Sequence, residues 1–264
     1  MCYDISFSVH INELSDYFPG IDFPGQPELD FGFEPFDHIA GHAYSLHPII
    51  YTNRATNVLS CRLMEWGCIP FYVKDEKSFI RQRAGMLNAR SERILDDSSS
   101  YWFKIRNRRC LIPVSGIYEH RSIAGWKKKV PYFIRLRNQR LFFLPGLFSV
   151  AELPDTETGE LLSRYTFTLI TRKANSLMRD IHNDGDNKGR MPLFLMPDTA
   201  TEFVSDNLSA DRYREILELE MPSDKLEYWP VFTVRTAKGR PDEENKSEPW
   251  TWENLPPLGT MNPG

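Results

Sequence analysis

RCLIPVSGIYEHRSIAGWKKKVPYFIRLRNQRLFFLPGLF, residues 109–148, is the stretch whose reading decides the fold. Three strand-like runs follow one another within it: Arg109–Tyr118, Pro131–Leu136 and Leu141–Phe148. β-Branched and aromatic residues dominate them, and Gly, Pro or Asn bound them, residue types that end a strand by turning the chain or removing a backbone donor. Working outward, similar runs recur at His42–Tyr51, Arg62–Ile69, Tyr165–Thr171, Met191–Met196 and Tyr228–Val234. Helical spacing is rarer. It is found at about 76–86, at about 172–181 and over 198–218, where Asp198 caps the first turn and Asn207–Ser209 splits the segment in two. Strands that rarely alternate with helices argue against a parallel, doubly wound sheet. The expected fold is α+β: a single domain with a curved, barrel-like, mostly antiparallel β core and a few flanking helices. Residues 1–240 are expected to form it. DYFPGIDFPGQPELDFGFEPFD (16–37) reads as a surface insertion pinned by aromatics, and 241–264 as an extended tail.

The chain has 264 residues, 41% hydrophobic and 26% charged, which suits one large globular domain. Nothing in it is long and apolar enough to span a membrane, and MCYDISFSVHINEL lacks the basic start and apolar block of a signal peptide. A cytoplasmic protein is expected, nucleoid-associated if bacterial. Its four cysteines, Cys2, Cys61, Cys68 and Cys110, form no C-x-x-C pair and read as reduced thiols. The net charge of −4 disfavours a non-specific coater of nucleic acid, yet basic residues crowd 81–140 while acids gather at 13–37, at 152–160 and near the C-terminus. His38, His42 and His47 lack metal-ligand spacing, and no P-loop, G-x-G-x-x-G, G-x-S-x-G or H-E-x-x-H is present, so neither a metal nor a cofactor is expected.

Four places carry residues that could do chemistry. Cys2 follows Met1, and a small residue there favours removal of the initiator Met. That would leave an α-amine and a thiol on one residue, able to form a Schiff base with an aldehyde and then close a thiazolidine ring. Asn88-Ala89-Arg90-Ser91-Glu92 combines an amide that can orient an amine with a forked cation suited to phosphate. Glu119 ends an apolar strand among bulky neighbours, where burial would raise its pKa towards that of a general acid. His182 ends a helical segment ahead of a polar loop and Arg190-Met191-Pro192, and could relay protons. Taken one by one, each has an ordinary structural explanation.

In this order the pieces resemble the SRAP family, the SOS response-associated peptidase domain proteins. Met1-Cys2, Ala43–Pro48, Trp66–Pro70, Asn88–Glu92, Arg109–Pro113 with Gly116–Glu119, Pro131–Phe133, Gly146–Phe148, Thr166–Thr171, Ile181-His182, Arg190–Pro192 and Pro230-Val231 run collinearly over roughly residues 1–235. The resemblance implies a barrel-like core with a groove for single-stranded DNA, and a thiazolidine crosslink between the N-terminal Cys and the aldehyde of an abasic site. It makes Cys2 the nucleophile, Asn88 the orienter of its amine, Glu119 the general acid/base and His182 a proton relay or Schiff-base stabiliser. Arg90 would hold phosphate, Trp66 would line the groove or stack on a base, and Pro48 and Arg190 would also lie on the DNA side. The implied partner is single-stranded DNA containing abasic sites, bound by a monomer. Tyr3-Asp4 stands where the family usually carries Gly-Arg, trading a phosphate contact for an acid, and extra residues through 185–189 separate His182 from Arg190. An N-terminal-nucleophile or thiol peptidase, or an amidohydrolase, using the same Cys2, Asn88, Glu119 and His182 remains the alternative, and a non-catalytic binding module the third.

Overall fold

The computed structural model describes residues 2–24, 34–155, 157–236 and 239–260. Its twelve labelled strands are β1 (Asp4–Phe7), β2 (Phe36–Ala40), β3 (Leu46–Asn53), β4 (Val58–Trp66), β5 (Asn88–Arg90), β6 (Arg109–Val114), β7 (Gly116–Arg121), β8 (Val130–Leu136), β9 (Phe142–Pro154), β10 (Leu161–Lys173), β11 (Arg190–Pro192) and β12 (Leu226–Pro230). Five of them close a ring. β3 runs antiparallel to β4 and β6, β6 to β9 and β9 to β10, and β10 returns to β4 in parallel. Closure leaves no unpaired strand edge, and the inward faces fill with side chains such as Ile49, Met64, Trp66 and Phe167, all fully buried. The second sheet runs β12-β8-β7-β1-β2. With flanking helices, this is the α+β, barrel-cored domain expected; the parallel pairings of β10 with β4 and β5 make the barrel mixed.

Two expected elements change on folding. Arg109–Tyr118 is not one strand: β6 belongs to the barrel and β7 to the second sheet, with the break at Ser115. The Ser115 amide donates to the Ser6 carbonyl at 2.8 Å and its hydroxyl accepts from the Ser8 amide at 2.9 Å, so β1 holds the switch point. Burial on all sides keeps the sequence apolar through the break, and periodicity cannot show it. The segment about 172–181 begins as strand, because Thr171–Lys173 pairs with β11, and turns helical only at Ser176.

Within 16–37, Phe18 and Ile21 are buried and Phe18 packs edge-on to Phe143, at a ring separation of 5.0 Å. Residues 25–33 of that stretch lie outside the described residues. Beyond 240 the tail returns to the body: Trp252 donates its indole N–H to the Val231 carbonyl at 3.0 Å, and Arg121 donates to the Pro256 and Pro257 carbonyls at 2.6 and 2.7 Å. No described helix is long and apolar enough to cross a membrane.

Candidate active site

Cys2 is fully buried, one residue ahead of β1. Its thiol donates to the Asp4 carbonyl at 3.5 Å, and burial, with Glu119 nearby, pushes the thiol well above its usual pKa. β7 brings Glu119 to the same place through the antiparallel pairing Asp4↔Tyr118. β5 brings Asn88, held beside Leu169 by parallel pairing with β10. The Asn88 amide Nδ2 donates to the Cys2 carbonyl at 2.9 Å.

Glu119 is almost wholly buried, and removal from water pushes its carboxyl up to about 8. A carboxyl there is substantially protonated at neutral pH and still able to ionise. Two buried oxygens in the cluster, Glu119 Oε1 and Asn88 Oδ1, have no hydrogen-bond partner among the described residues. An orphaned buried acceptor costs on the order of 1–3 kcal/mol, so such pairs call for a donor.

His182 completes the group from another element. Asn175 caps the helix Ser176–Ile181 by accepting from the Met178 amide at 2.9 Å, and the helix stops at His182, whose backbone leaves the helical region. His182 Nδ1 lies 2.9 Å from the Arg190 carbonyl, which as an acceptor fixes the proton on Nδ1 and the lone pair on Nε2. Desolvation lowers the ring to about 4, so at neutral pH it is an uncharged imidazole.

Glu119 and His182 open onto a cavity of about 580 Å³ that Tyr3, Lys128, Asn187 and Arg235 also line. The extra residues after His182 form one wall of it, through Asp184–Asn187, with Asp184 paired to Lys129 at 2.8 Å. Among the described residues no group of three or more His, Cys, Asp or Glu is arranged to hold a metal ion.

The residues expected at DNA divide. Arg90 is exposed, with Nη2 3.1 Å from the Asn187 side chain, on the cavity rim. Arg190 is spent inward: it donates to both Glu92 carboxylate oxygens, at 2.6 and 3.0 Å, and to the Thr171 carbonyl at 2.8 Å, while its own carbonyl orients His182. Trp66 and Pro48 are corrections. Both are buried, so neither offers a face to a base. Alternation along β4 turns Met64 and Trp66 inward, and the Trp66 indole, stacked on Phe167, donates to the Leu87 carbonyl at 2.9 Å. Trp66 therefore steadies the backbone just before Asn88.

The acid at position 4 is also turned inward. Asp4 is 1% exposed and accepts from His38 at 2.8 Å and from Arg235 Nε at 2.9 Å. Burial alone would raise its carboxyl, but the hydrogen bonds from His38 and Arg235 outweigh that and hold it below the usual carboxylate range. Arg235, whose side chain is half exposed at the cavity, was missed by the sequence reading. Only its distance-blind position shortly after Pro230-Val231 could have suggested it.

A closed mixed barrel with a second sheet thus gathers a buried cysteine, a side-chain amide bonded to its carbonyl, a protonatable carboxyl and a neutral imidazole, the last two lining one cavity. The family model for SOS response associated peptidase (SRAP) matches residues 1–235, and the chain belongs to that family. Among curated relatives, the abasic site processing protein YoqW of Bacillus subtilis is 33% identical over 171 residues, covering 65% of this chain and 69% of its own. The abasic site processing protein YobE of the same organism is 34% identical, covering 65% and 70%. The abasic site processing protein HMCES of Gallus gallus is 30% identical over 189 residues, covering 64% of this chain and 52% of its own. Among solved structures, a Bacteroides thetaiotaomicron protein superposes with a TM-score of 0.74 at 24% identity, over 94% of this chain and 97% of that one. A Bordetella bronchiseptica protein gives 0.65 at 20% identity, over 88% and 100%. At those identities the two structures speak for the fold alone.

Proposed function

We propose that this chain, once Met1 is removed, captures abasic sites in single-stranded DNA as a thiazolidine on Cys2. The observation that carries the reading is the pair of orphaned buried oxygens, Asn88 Oδ1 and Glu119 Oε1, grouped with the residue whose nitrogen becomes a free amine on loss of Met1. An amine supplies the N–H donors those acceptors lack. The names of the relatives, abasic site processing proteins, favour the same substrate.

The steps follow from the groups. The neutral Cys2 amine adds to the C1′ aldehyde of the ring-opened deoxyribose, giving a carbinolamine. Glu119, protonated below about 8, delivers its proton to the departing hydroxyl, so water leaves, an iminium ion forms and Glu119 is left as a carboxylate. The thiol then gives its proton to a base and adds its sulfur to the iminium carbon, so that the positively charged nitrogen becomes a neutral ring amine. The Glu119 carboxylate is that base, which restores the acid. His182, uncharged, accepts a hydrogen bond through Nε2 without bringing a second cation next to the iminium. One chain supplies every group, so a monomer suffices.

Arg90 and Arg235 stand at the cavity rim as phosphate contacts, Arg235 held by Asp4. Phe71 and Tyr72, 45% and 57% exposed and packed with Tyr101, take the stacking role that Trp66 cannot fill. Incubation with uracil-glycosylase-treated single-stranded DNA followed by a denaturing gel tests the reading. A shifted band is expected from protein whose mass shows loss of Met1, and Cys2→Ala should abolish it. An intact adduct in that variant ends the claim.

A further inference from the structure

A second cavity, of about 360 Å³, shares no lining residue with the one at Glu119 and His182. Arg54, Arg62 and Arg108 line it together with Tyr51, Phe148 and Tyr165. Arg54 comes from the turn between β3 and β4, Arg62 from β4, and Arg108 from the residue just before β6. The Arg62 guanidinium lies over the Tyr165 ring, 4.3 Å from its centre, and the Tyr51 and Phe148 rings are 5.2 Å apart. Arg54 is anchored by donating to the Asn107 carbonyl at 2.9 Å, and the Arg108 carbonyl accepts from the Phe148 amide at 2.9 Å.

Charge marks this cavity. Arg83, Arg164, Arg190, Arg212 and Arg214 each hold a carboxylate. Arg54, Arg62 and Arg108 hold none among the described residues, and Arg62 Nε is buried without a partner there. Three like charges converging on one hollow repel one another, and an orphaned buried donor adds to the cost. An anion relieves both. Aromatic walls beside those cations add a preference for a planar ring, and a guanidinium stacked on a tyrosine extends the same flat wall. Phosphate together with an aromatic base is the chemistry of a nucleotide, and the volume lies within the range of small-ligand sites.

We propose that this cavity is a second nucleotide-binding site, which takes one unit of a single strand: the base against Tyr51, Phe148 and Tyr165, the flanking phosphates on Arg54, Arg62 and Arg108. It needs no lesion, so it binds undamaged strand and stands apart from the chemistry of Cys2. Of the basic run Arg106-Asn107-Arg108-Arg109 before and into β6, Arg108 lines this cavity and the Asn107 carbonyl anchors Arg54 beside it.

The test is fluorescence anisotropy of the full chain with a labelled oligothymidylate that contains no abasic site. Arg54→Ala with Arg108→Ala, both outside the core, is expected to weaken binding at least about tenfold and to lower the slope of log affinity against log salt by about one unit per arginine. Tyr165→Leu should weaken binding about fivefold or more with the slope unchanged, because it removes stacking and no charge. Wild-type affinity and slope in the double variant, with unaltered thermal melting, would overturn the proposal. Thymidine monophosphate at millimolar concentration is expected to leave the strand bound; displacement would assign the cavity to free nucleotides instead. Crosslinking of a short abasic oligonucleotide should be unchanged in all three substitutions, which separates failure of this site from failure at Cys2.

Discussion

At the scale of single residues the chemistry turns on Glu119. Its carboxyl stands at about 8 because burial penalises the charged form, so the acid form is lost as pH rises through that value. If Glu119 protonates the leaving hydroxyl, the rate of adduct formation falls above about 8, and Glu119→Gln removes that descending limb. The same variant should slow the reaction by roughly 10²–10⁴-fold, the usual worth of a positioned general acid/base. Timed denaturing gels across pH check both, and a limb that persists in Glu119→Gln would assign it to another group. The raised pKa also bears on stability. Between the ordinary value of 4.5 and about 8, the folded protein keeps a proton that the unfolded chain has released. Stability therefore falls as pH rises through that window, by up to about 1.4 kcal/mol per pH unit. Glu119→Gln should flatten this dependence, read as denaturant midpoints at about pH 5.5 and about pH 8.5. The residues of this cluster were legible in the sequence only through the collinear order of short motifs, since each alone has an ordinary structural explanation. Arg235 was not, since nothing near it in the chain reveals that the Asp4 carboxylate, on β1, fixes its guanidinium.

At the scale of elements the decisive feature is the passage from β6 to β7. The apolar run reads as one strand because both of its halves are buried, one in each sheet, and only tertiary pairing with β1 divides it. Gly116 starts β7 beneath the Phe133 ring, and a Cβ there would fall 2.1 Å from the ring carbon Cζ. Phe133 has little room to retreat, being 3% exposed and packed against Tyr118 and Trp229 at ring separations of 5.1 and 5.3 Å. Gly116→Ala is accordingly expected to destabilise the fold by about 1–3 kcal/mol through overpacking. Because β7 carries Glu119, the same change should slow adduct formation more than the stability loss alone accounts for. Urea denaturation alongside the gel assay separates the two effects, and an unchanged midpoint would show that β7 shifts freely. The misplacement of Trp66 has a related cause. An aromatic in a short motif looks the same from either face of a strand, and only the inward phase set by Met64 and Phe167 tells that it supports Asn88 from behind.

For the whole molecule, net charge is the least informative number in the sequence. A sum of −4 says nothing about which arginines are neutralised, and folding leaves Arg54, Arg62 and Arg108 without a carboxylate around one cavity while pairing Arg235 at the other and further arginines along the barrel and helices. The overall barrel was legible because closely spaced strands with few helices admit few architectures, whereas the course of the tail was not, since Pro, Glu and Asn in 239–260 show no period. Its anchoring is nonetheless specific. The Arg121 guanidinium, buried two residues beyond Glu119 on β7, finds its acceptors on Pro256 and Pro257, and Trp252 packs beside Trp126 at a ring separation of 6.2 Å. Removing residues 250–264 strips a buried cation of two hydrogen bonds and uncovers apolar surface. Hydrogen bonds to a charged group are worth about 1.5–3 kcal/mol each, so a loss of at least about 3 kcal/mol is expected, read as a lower thermal midpoint. Arg121→Met in the full chain, which fills the same space without the charge, should lose much less. If the truncated protein melts like the intact one, the tail only drapes over β7. If it melts lower but Arg121→Met does not rescue the truncation, the apolar cover of Trp252, Leu255 and Leu258 is what the tail contributes.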